Sequence, residues 1–212
     1  MNSITYARPE WVCTTANPMD LPLPPDGLWL SAHLDPKSEM FSQTWSIYNA
    51  SFNDVERRTL FEQLLAMRRL RYRFSAIRRK GAVVGVLGFW ELEDFCFLEH
   101  IAVAPEYRSG GYGRRAIQML QRLVRKPILL DVEPLDTDEN AVRRVSFYQR
   151  LGFHYCEHPV ALPPYIGKAV VTSNLMSWPM ALDAGACEQT LASIEQEIYG
   201  LRVVTPRQPK AV

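Results

Sequence analysis

The sequence predicts a single α/β chain of the α+β kind, in which one mixed, mostly antiparallel sheet carries helices on both faces. Three observations predict it. Two amphipathic helical stretches come first, three strand-like segments then follow one another through tight turns, and helix and strand alternate afterwards. Consecutive strands joined by short turns pair as an antiparallel meander, while strands reached through helices extend the same sheet. One mixed sheet with helices packed on it satisfies both patterns.

The elements can be taken in order. Residues 1–27 are proline-rich, ending "NPMDLPLPPDG", and read as an irregular arm. "LWLSAHL" (28–34) is a short strand. Asp35 is the expected N-cap of a first helix, with Pro36 at its first position and Met40, Phe41, Trp45 and Tyr48 on one face. Asp54 is the expected cap of a second helix carrying Leu60, Phe61, Leu64, Leu65 and Met67. Strands 72–79 and 82–93 meet at Lys80-Gly81, a hairpin turn, and 95–103 is a third strand. A glycine-rich loop and a helix of about 14 residues lead to a buried-type strand, "PILLDV" (127–132). A helix over 138–151 ends at Gly152, strands follow at 153–158 and 170–178, and a last helix spans 186–199.

Composition narrows the class. A chain of 212 residues with 47% hydrophobic and 22% charged residues can bury a substantial core. Its net charge of +1 argues against bulk binding to nucleic acid or to a membrane surface. Cys13, Cys96, Cys156 and Cys187 are scattered without a paired spacing, so reduced thiols and a cytoplasmic location are expected. The first residues show no signal-peptide pattern, and the longest apolar run, "AVVGVLGFW", is about half of a membrane span.

The chemistry concentrates at "RSGGYG" (108–113). Three glycines in four residues, between a strand and a helix, suit a backbone that a ligand approaches closely. The first amides of a helix lack intrahelical partners and the helix dipole favours an anion there. Arg108, Arg114 and Arg115 add positive charge. No GxxxxGK[ST] occurs, and no GxGxxG opens the first strand–helix unit, so neither a P-loop nor a Rossmann site is supported.

"IAVAPEYRSGGYGRRAIQML" resembles the acyl-coenzyme A signature of the GNAT superfamily of N-acetyltransferases, with Arg108, Gly111 and Gly113 at its defining positions. About 35 residues on, "FYQRLGF" (147–153) resembles the second signature of that family. The resemblance covers residues 28–180 as the acetyltransferase domain, leaving the 1–27 arm and a C-terminal helix and tail, 181–212, packed on the same domain. It implies a sheet splayed between two strands, with acetyl-CoA as co-substrate and no metal. The backbone of Arg108, Ser109, Gly110, Gly111, Tyr112, Gly113 and Arg114 is then expected to hold the pyrophosphate. Ile101, Ala102 and Val103 would pair with the pantetheine arm as an added strand. Tyr148 would stand beside the thioester sulfur. Where many members carry Asn and Ala, seven and four residues before that tyrosine, this chain has Ala141 and Arg144.

The implied reaction moves an acetyl group to a primary amine by direct attack, since no cysteine or serine is marked as an acyl carrier. An amine of pKa about 10.4 must lose a proton, at a cost of roughly 4 kcal/mol near neutral pH. Glu99, in the strand before the pantetheine segment, and Glu133, just after "PILLDV", are the candidate bases, with His100 expected on the face opposite Glu99. Tyr148 is read as a hydrogen-bond donor to the departing thiolate first and as a general acid second. Trp45, Tyr48, Phe52, Glu56 and "PPY" (163–165) are placed near the entrance of a small-molecule or peptide acceptor. The terminal helix suits packing on its own sheet or on a second copy in a homodimer. Other readings are a regulatory acyl-CoA-binding module, and an acetyltransferase of charged RNA using the basic stretch 68–80. That stretch reads more simply as a charged sheet edge. "HYCEH" (154–158) places His154, Cys156 and His158 on one strand face without a nearby fourth metal ligand.

Overall fold

In the computed structural model, residues 27–32 and 34–200 are described. The arm expected over 1–27 lies outside them except for Gly27, as does the tail beyond residue 200. Seven strands form one sheet: β1 (Leu28–Ser31), β2 (Tyr72–Arg79), β3 (Ala82–Glu91), β4 (Cys96–Val103), β5 (Ile128–Val132), β6 (His154–Leu162) and β7 (Val171–Trp178), in the order β1-β2-β3-β4-β5-β7-β6. All neighbours are antiparallel except β4 and β5. The β2–β3 turn has Lys80 at φ 47° and Gly81 at φ 90°, the left-handed pair that a two-residue hairpin needs.

Five helices cover the sheet: α1 (Glu39–Ser51), α2 (Leu60–Met67), α3 (Tyr112–Val124), α4 (Glu139–Gln149) and α5 (Ala184–Glu197). On one face α3 and α4 bury Ile117, Leu120, Val145 and Tyr148 against Leu87, Leu98 and Leu130. On the other, Phe41 and Tyr48 of α1 and Ile194 of α5 pack with Phe74, Trp90, Phe97 and Leu129. Alternate residues of the central strands thus feed two separate cores, which is why these strands read as nearly continuous apolar runs.

The helix starts differ from expectation. Asp35 lies in a turn, and Ser38 caps α1, its hydroxyl accepting from the Phe41 amide at 3.1 Å. Asp54 opens a 3₁₀ turn (Asp54–Glu56), and α2 begins only at Thr59, whose capping box with Glu62 satisfies the end amides reciprocally. Each is a local cap standing closer to the apolar stretch than the aspartate it displaces. The four cysteines do not all remain as thiols: Cys156 and Cys187 form a disulfide joining β6 to α5, and Cys96 is a free buried thiol. They are 31 residues apart, and only the docking of α5 on β6 brings them together.

The sheet parts in its middle. The parallel β4–β5 ladder consists of Cys96–Ile128 and Phe97–Leu129, after which β4 runs on to Val103 and β5 to Val132 without pairing to one another. A wedge therefore opens at the sheet centre, bordered by strand edges whose polar groups need partners.

Candidate active site

The loop after β4 leaves the strand through a 3₁₀ turn, Pro105–Tyr107, and reaches α3 through two left-handed residues, Ser109 at φ 64° and Gly111 at φ 72°. Gly111 is the N-cap of α3 and makes no side-chain cap, so the first helical amides have no capping acceptor. A Cβ on Gly111 would meet nothing within 4 Å, whereas one on Gly110 would lie 2.5 Å from the Tyr112 ring. The first glycine makes room inside the loop and the second leaves room outside it. Arg115 ties the turn together, donating to the Gly110 carbonyl at 2.8 Å and lying over the Tyr112 ring. Arg108 donates through Nε to the Val103 carbonyl at 3.3 Å.

A cavity of about 720 Å³ runs from this loop through the wedge to a second opening beside Phe52, Glu56 and Tyr165. Ile101–Val103, Arg108, Ser109, Gly111–Arg114, Glu99, Glu133 and Tyr148 all line it, so the sequence-predicted residues converge on one space; Gly110 stays behind in the loop. Tyr148 packs its ring between Phe147 and Phe153, and among the described residues its hydroxyl has no hydrogen-bond partner. Burial, only partly offset by Arg144, pushes that hydroxyl up from the ordinary tyrosine value. It is better suited to donating a hydrogen bond than to releasing a proton.

The two predicted bases are both engaged. The β3–β4 register passes from Gly88–His100 to Phe89–Leu98, making Glu99 the extra residue of a β-bulge. Its carboxylate takes a two-pronged bond from Arg58 at 2.7 and 2.6 Å, and further bonds from Trp90 Nε1 and the Tyr165 hydroxyl, each at 2.9 Å. The pair is buried, with side-chain exposures of 6% for Arg58 and 4% for Glu99. Burial alone would raise the Glu99 pKa, but the charge and hydrogen bonds of Arg58 together with the neighbouring His100 outweigh it and hold the carboxyl well below its usual range. A carboxylate so held is a poor proton acceptor, which corrects the role expected of Glu99. Glu133 is ion-paired with Arg144, one of the two positions at which this chain departs from the family pattern.

The bulge also corrects the placement of His100. With one residue extra, Glu99 and His100 point to the same face, and His100 packs edge-on against Tyr48 and Phe52 of α1. Its Nε2 lies 3.0 Å from the Glu56 carbonyl, which can only accept, so Nε2 carries a hydrogen, while the buried Nδ1 stands 3.6 Å from Glu99 Oε2. Trp45 and Tyr48 belong to the core beneath, while Phe52, Glu56 and residues 163–165 do line the second opening.

One cavity carboxylate was missed. Asp131 stands on β5, two residues past the last β4–β5 pair. Burial pushes its carboxyl up to about 6, with a hydrogen bond from Ser173 and the nearby His100 pulling down and Glu99 pushing up. A lone aspartate in the all-apolar run "PILLDV" was the available signal.

The remaining signals resolve locally. Within 68–80, Arg69 lies over Trp90, Arg71 pairs with Glu197, Arg73 with Glu91, and Arg78 and Arg79 lie over Trp29 and Tyr112. These arginines brace the sheet. His154 binds the Pro179 carbonyl and His158 approaches Glu188, so "HYCEH" does not converge on one point. Among the described residues no helix is long and apolar enough to cross a membrane.

Comparisons with known proteins agree with this geometry. A model of the acetyltransferase (GNAT) family matches residues 38–153. The Bacillus subtilis protein YjbC is 37% identical over 73 residues, a match spanning 34% of this chain and 38% of YjbC. A GNAT-family structure from Bacteroides thetaiotaomicron is 28% identical, covers 82% of this chain and 99% of its own, and superposes with a TM-score of 0.74. The ribosomal-protein-S18-alanine N-acetyltransferase of Escherichia coli, 17% identical over 73% of this chain and 95% of its own with a TM-score of 0.51, shares the fold.

The Glu99 assignment predicts a stability effect. Glu99→Gln leaves the Arg58 guanidinium buried without a counter-charge and should cost about 3 kcal/mol in urea unfolding at pH 7. The folded pKa lies below the unfolded value of about 4.3, so the contribution is complete above that pH and fades only below it. The gap between variant and parent should therefore stay constant from pH 6 to 8. A loss under about 1 kcal/mol, or one that grows across that window, would contradict the assignment.

Proposed function

The chain belongs to the GNAT family of acetyltransferases, and we propose that it moves an acetyl group from acetyl-CoA to a primary amine by direct attack in a ternary complex. One observation carries the reading: a single cavity joins the uncapped start of α3, the free edge of β4 and Tyr148 to a region lined by Phe52, Glu56 and Tyr165. The amides at the start of α3, with Arg114 at the rim, suit a pyrophosphate. The unpaired backbone of Ile101–Val103 suits an amide-bearing arm laid along it as a strand. Acetyl-CoA supplies the activated acyl group as a thioester. Tyr148, whose hydroxyl has no hydrogen-bond partner among the described residues, would steady the sulfur as negative charge develops there. A thiol of pKa about 8.5 leaves without needing a full proton from a weaker acid.

Both halves of the proposal can be measured. Calorimetric titration with acetyl-CoA should give one site per chain, and a panel of primary amines should include some that trigger thiol release. Gly111→Glu puts a carboxylate where the phosphates would lie, at a φ of 72° that side chains rarely adopt. It should weaken acetyl-CoA binding at least 100-fold while the circular dichroism spectrum is retained; unchanged affinity would remove the basis of the reading. Binding without thiol release from any amine would argue for a regulatory module instead.

Tyr148→Phe is expected to lower kcat by about 10- to 100-fold, within or below the span of single acid–base groups. Acetyl-CoA affinity should change less than threefold. Equal losses in the two would assign the tyrosine to packing alone.

A further inference from the structure

We propose that Asp131 is the general base that takes the proton from the acceptor amine. The inference rests on the acetyltransferase reading and adds the group that reading lacks, because an amine arriving as an ammonium ion cannot attack. Four carboxylates line the cavity: Glu56, Glu99, Asp131 and Glu133. Glu99 is locked to Arg58 and Glu133 is paired with Arg144. Glu56 lies in the 3₁₀ turn on the α1 face, its backbone carbonyl 3.0 Å from His100 Nε2, and belongs to neither strand that borders the wedge. Asp131 stands inside the wedge on β5, two residues past the last β4–β5 pair and across from Glu99 of β4, beside the path of an arm laid along Ile101–Val103.

Its surroundings leave it available. Ser173 of β7 donates to the carboxylate; Glu99 and His100 face it from β4, Tyr148 from α4, and Tyr199 from the chain just past α5. Among the described residues no lysine or arginine forms a salt bridge with it, in contrast to Glu99 and Glu133. Ser173 can occupy one lone pair and still leave the carboxylate free to accept from a substrate nitrogen. Burial raises the pKa to about 6, so the group is ionised at neutral pH yet more basic than an ordinary aspartate.

The proton balance is complete. The ammonium N–H passes its proton to Asp131, leaving the nitrogen lone pair free. That nitrogen bonds to the acetyl carbon, and the carbon–sulfur bond breaks with its electrons going to sulfur. The second nitrogen proton neutralises the thiolate beside Tyr148, and Asp131 returns its proton to solvent. The net change is ammonium plus thioester to amide, thiol and one proton.

Asp131→Asn keeps the shape and removes the base. With the amine found by the panel, kcat/KM at pH 7 should fall at least 100-fold while acetyl-CoA affinity stays within threefold. Hydroxylamine, far less basic than an alkylamine and largely unprotonated at pH 7, should restore most of the variant's rate relative to the parent. Structural damage would not discriminate between the two nucleophiles. The parent's kcat/KM should lose activity below an inflection near pH 6 that the variant lacks. Removing a buried charge should leave the variant's Tm at pH 8 no lower than the parent's, since the raised pKa means that ionisation opposes folding above pH 6. Retention of kcat/KM in the variant, or equal losses with both nucleophiles, would overturn the assignment while leaving the acetyltransferase reading intact. Should the variant not fold, a parent profile without an inflection near pH 6 would overturn it equally. Absence of thiol release from the parent with every amine would remove the reading and this inference together.

Discussion

The rest of the molecule is organised around the early end of the β4–β5 ladder. A parallel pair that stops after two positions leaves strand edges facing one another across a gap, and unpartnered backbone polar groups are costly away from water. The chain manages this without closing the gap. β3 holds β4 along its other edge up to Val103, and β7 holds β5 up to Val132. Arg108 reaches back to the Val103 carbonyl. Each strand is thus stabilised from outside the wedge, and the interior remains free to take an extended, hydrogen-bonding ligand.

Keeping a gap open within a sheet demands rigidity on its far side, which the Arg58–Glu99 pair supplies. Burying two charges costs several kcal/mol each unless their remaining hydrogen-bonding positions are filled. Here they are. Glu99 receives bonds from Arg58, Trp90 and Tyr165, and the guanidinium lies against the rings of Tyr72, Trp90 and Tyr165. Because Tyr165 sits in the segment between β6 and β7, the same pair anchors that segment over the acceptor opening. Ile166 donates to Glu62, and Lys168 pairs with Asp54, so the anchoring continues along the loop. A charge pair at a β-bulge therefore sets the shape of the acceptor side.

Much of this was legible in the sequence, and what was not shares a physical cause. Periodicity located every strand and helix, because amphipathic patterning reports which side faces a core. Lys80-Gly81 and Gly152 were legible because their backbone angles restrict the residue type. The loop at 108–113 was legible because close approach to a helix start requires glycines. The bulge at Glu99 was not: one extra residue changes the facing of everything after it, and no local pattern in "FCFLEHIAV" marks the slip. Arg58 carried no signal of its own, since its partner is 41 residues away. The Cys156–Cys187 bond was missed for the same reason. Pairings between distant segments are set by topology, and only their residue types are visible beforehand.

The four cavity carboxylates show how one chemical group acquires different properties from its neighbours. Two face guanidinium groups at contact distance, and for Glu99 that charge, with the hydrogen bonds of Arg58 and the neighbouring His100, outweighs burial. Asp131 is subject to the same burial without a cation beside it, and its affinity for a proton rises instead. The difference arises from the wedge itself. Arg58 comes from the segment leading into α2 and Arg144 from α4, so the two cations reach their carboxylates from opposite faces of the sheet. The middle of the gap is bordered by side chains of β4, β5 and β7, and Tyr148 and Tyr199 reach it from the helical layers. Asp131 there is half-buried and, among the described residues, pairs with no lysine or arginine, which leaves it able to take a proton from an approaching ammonium.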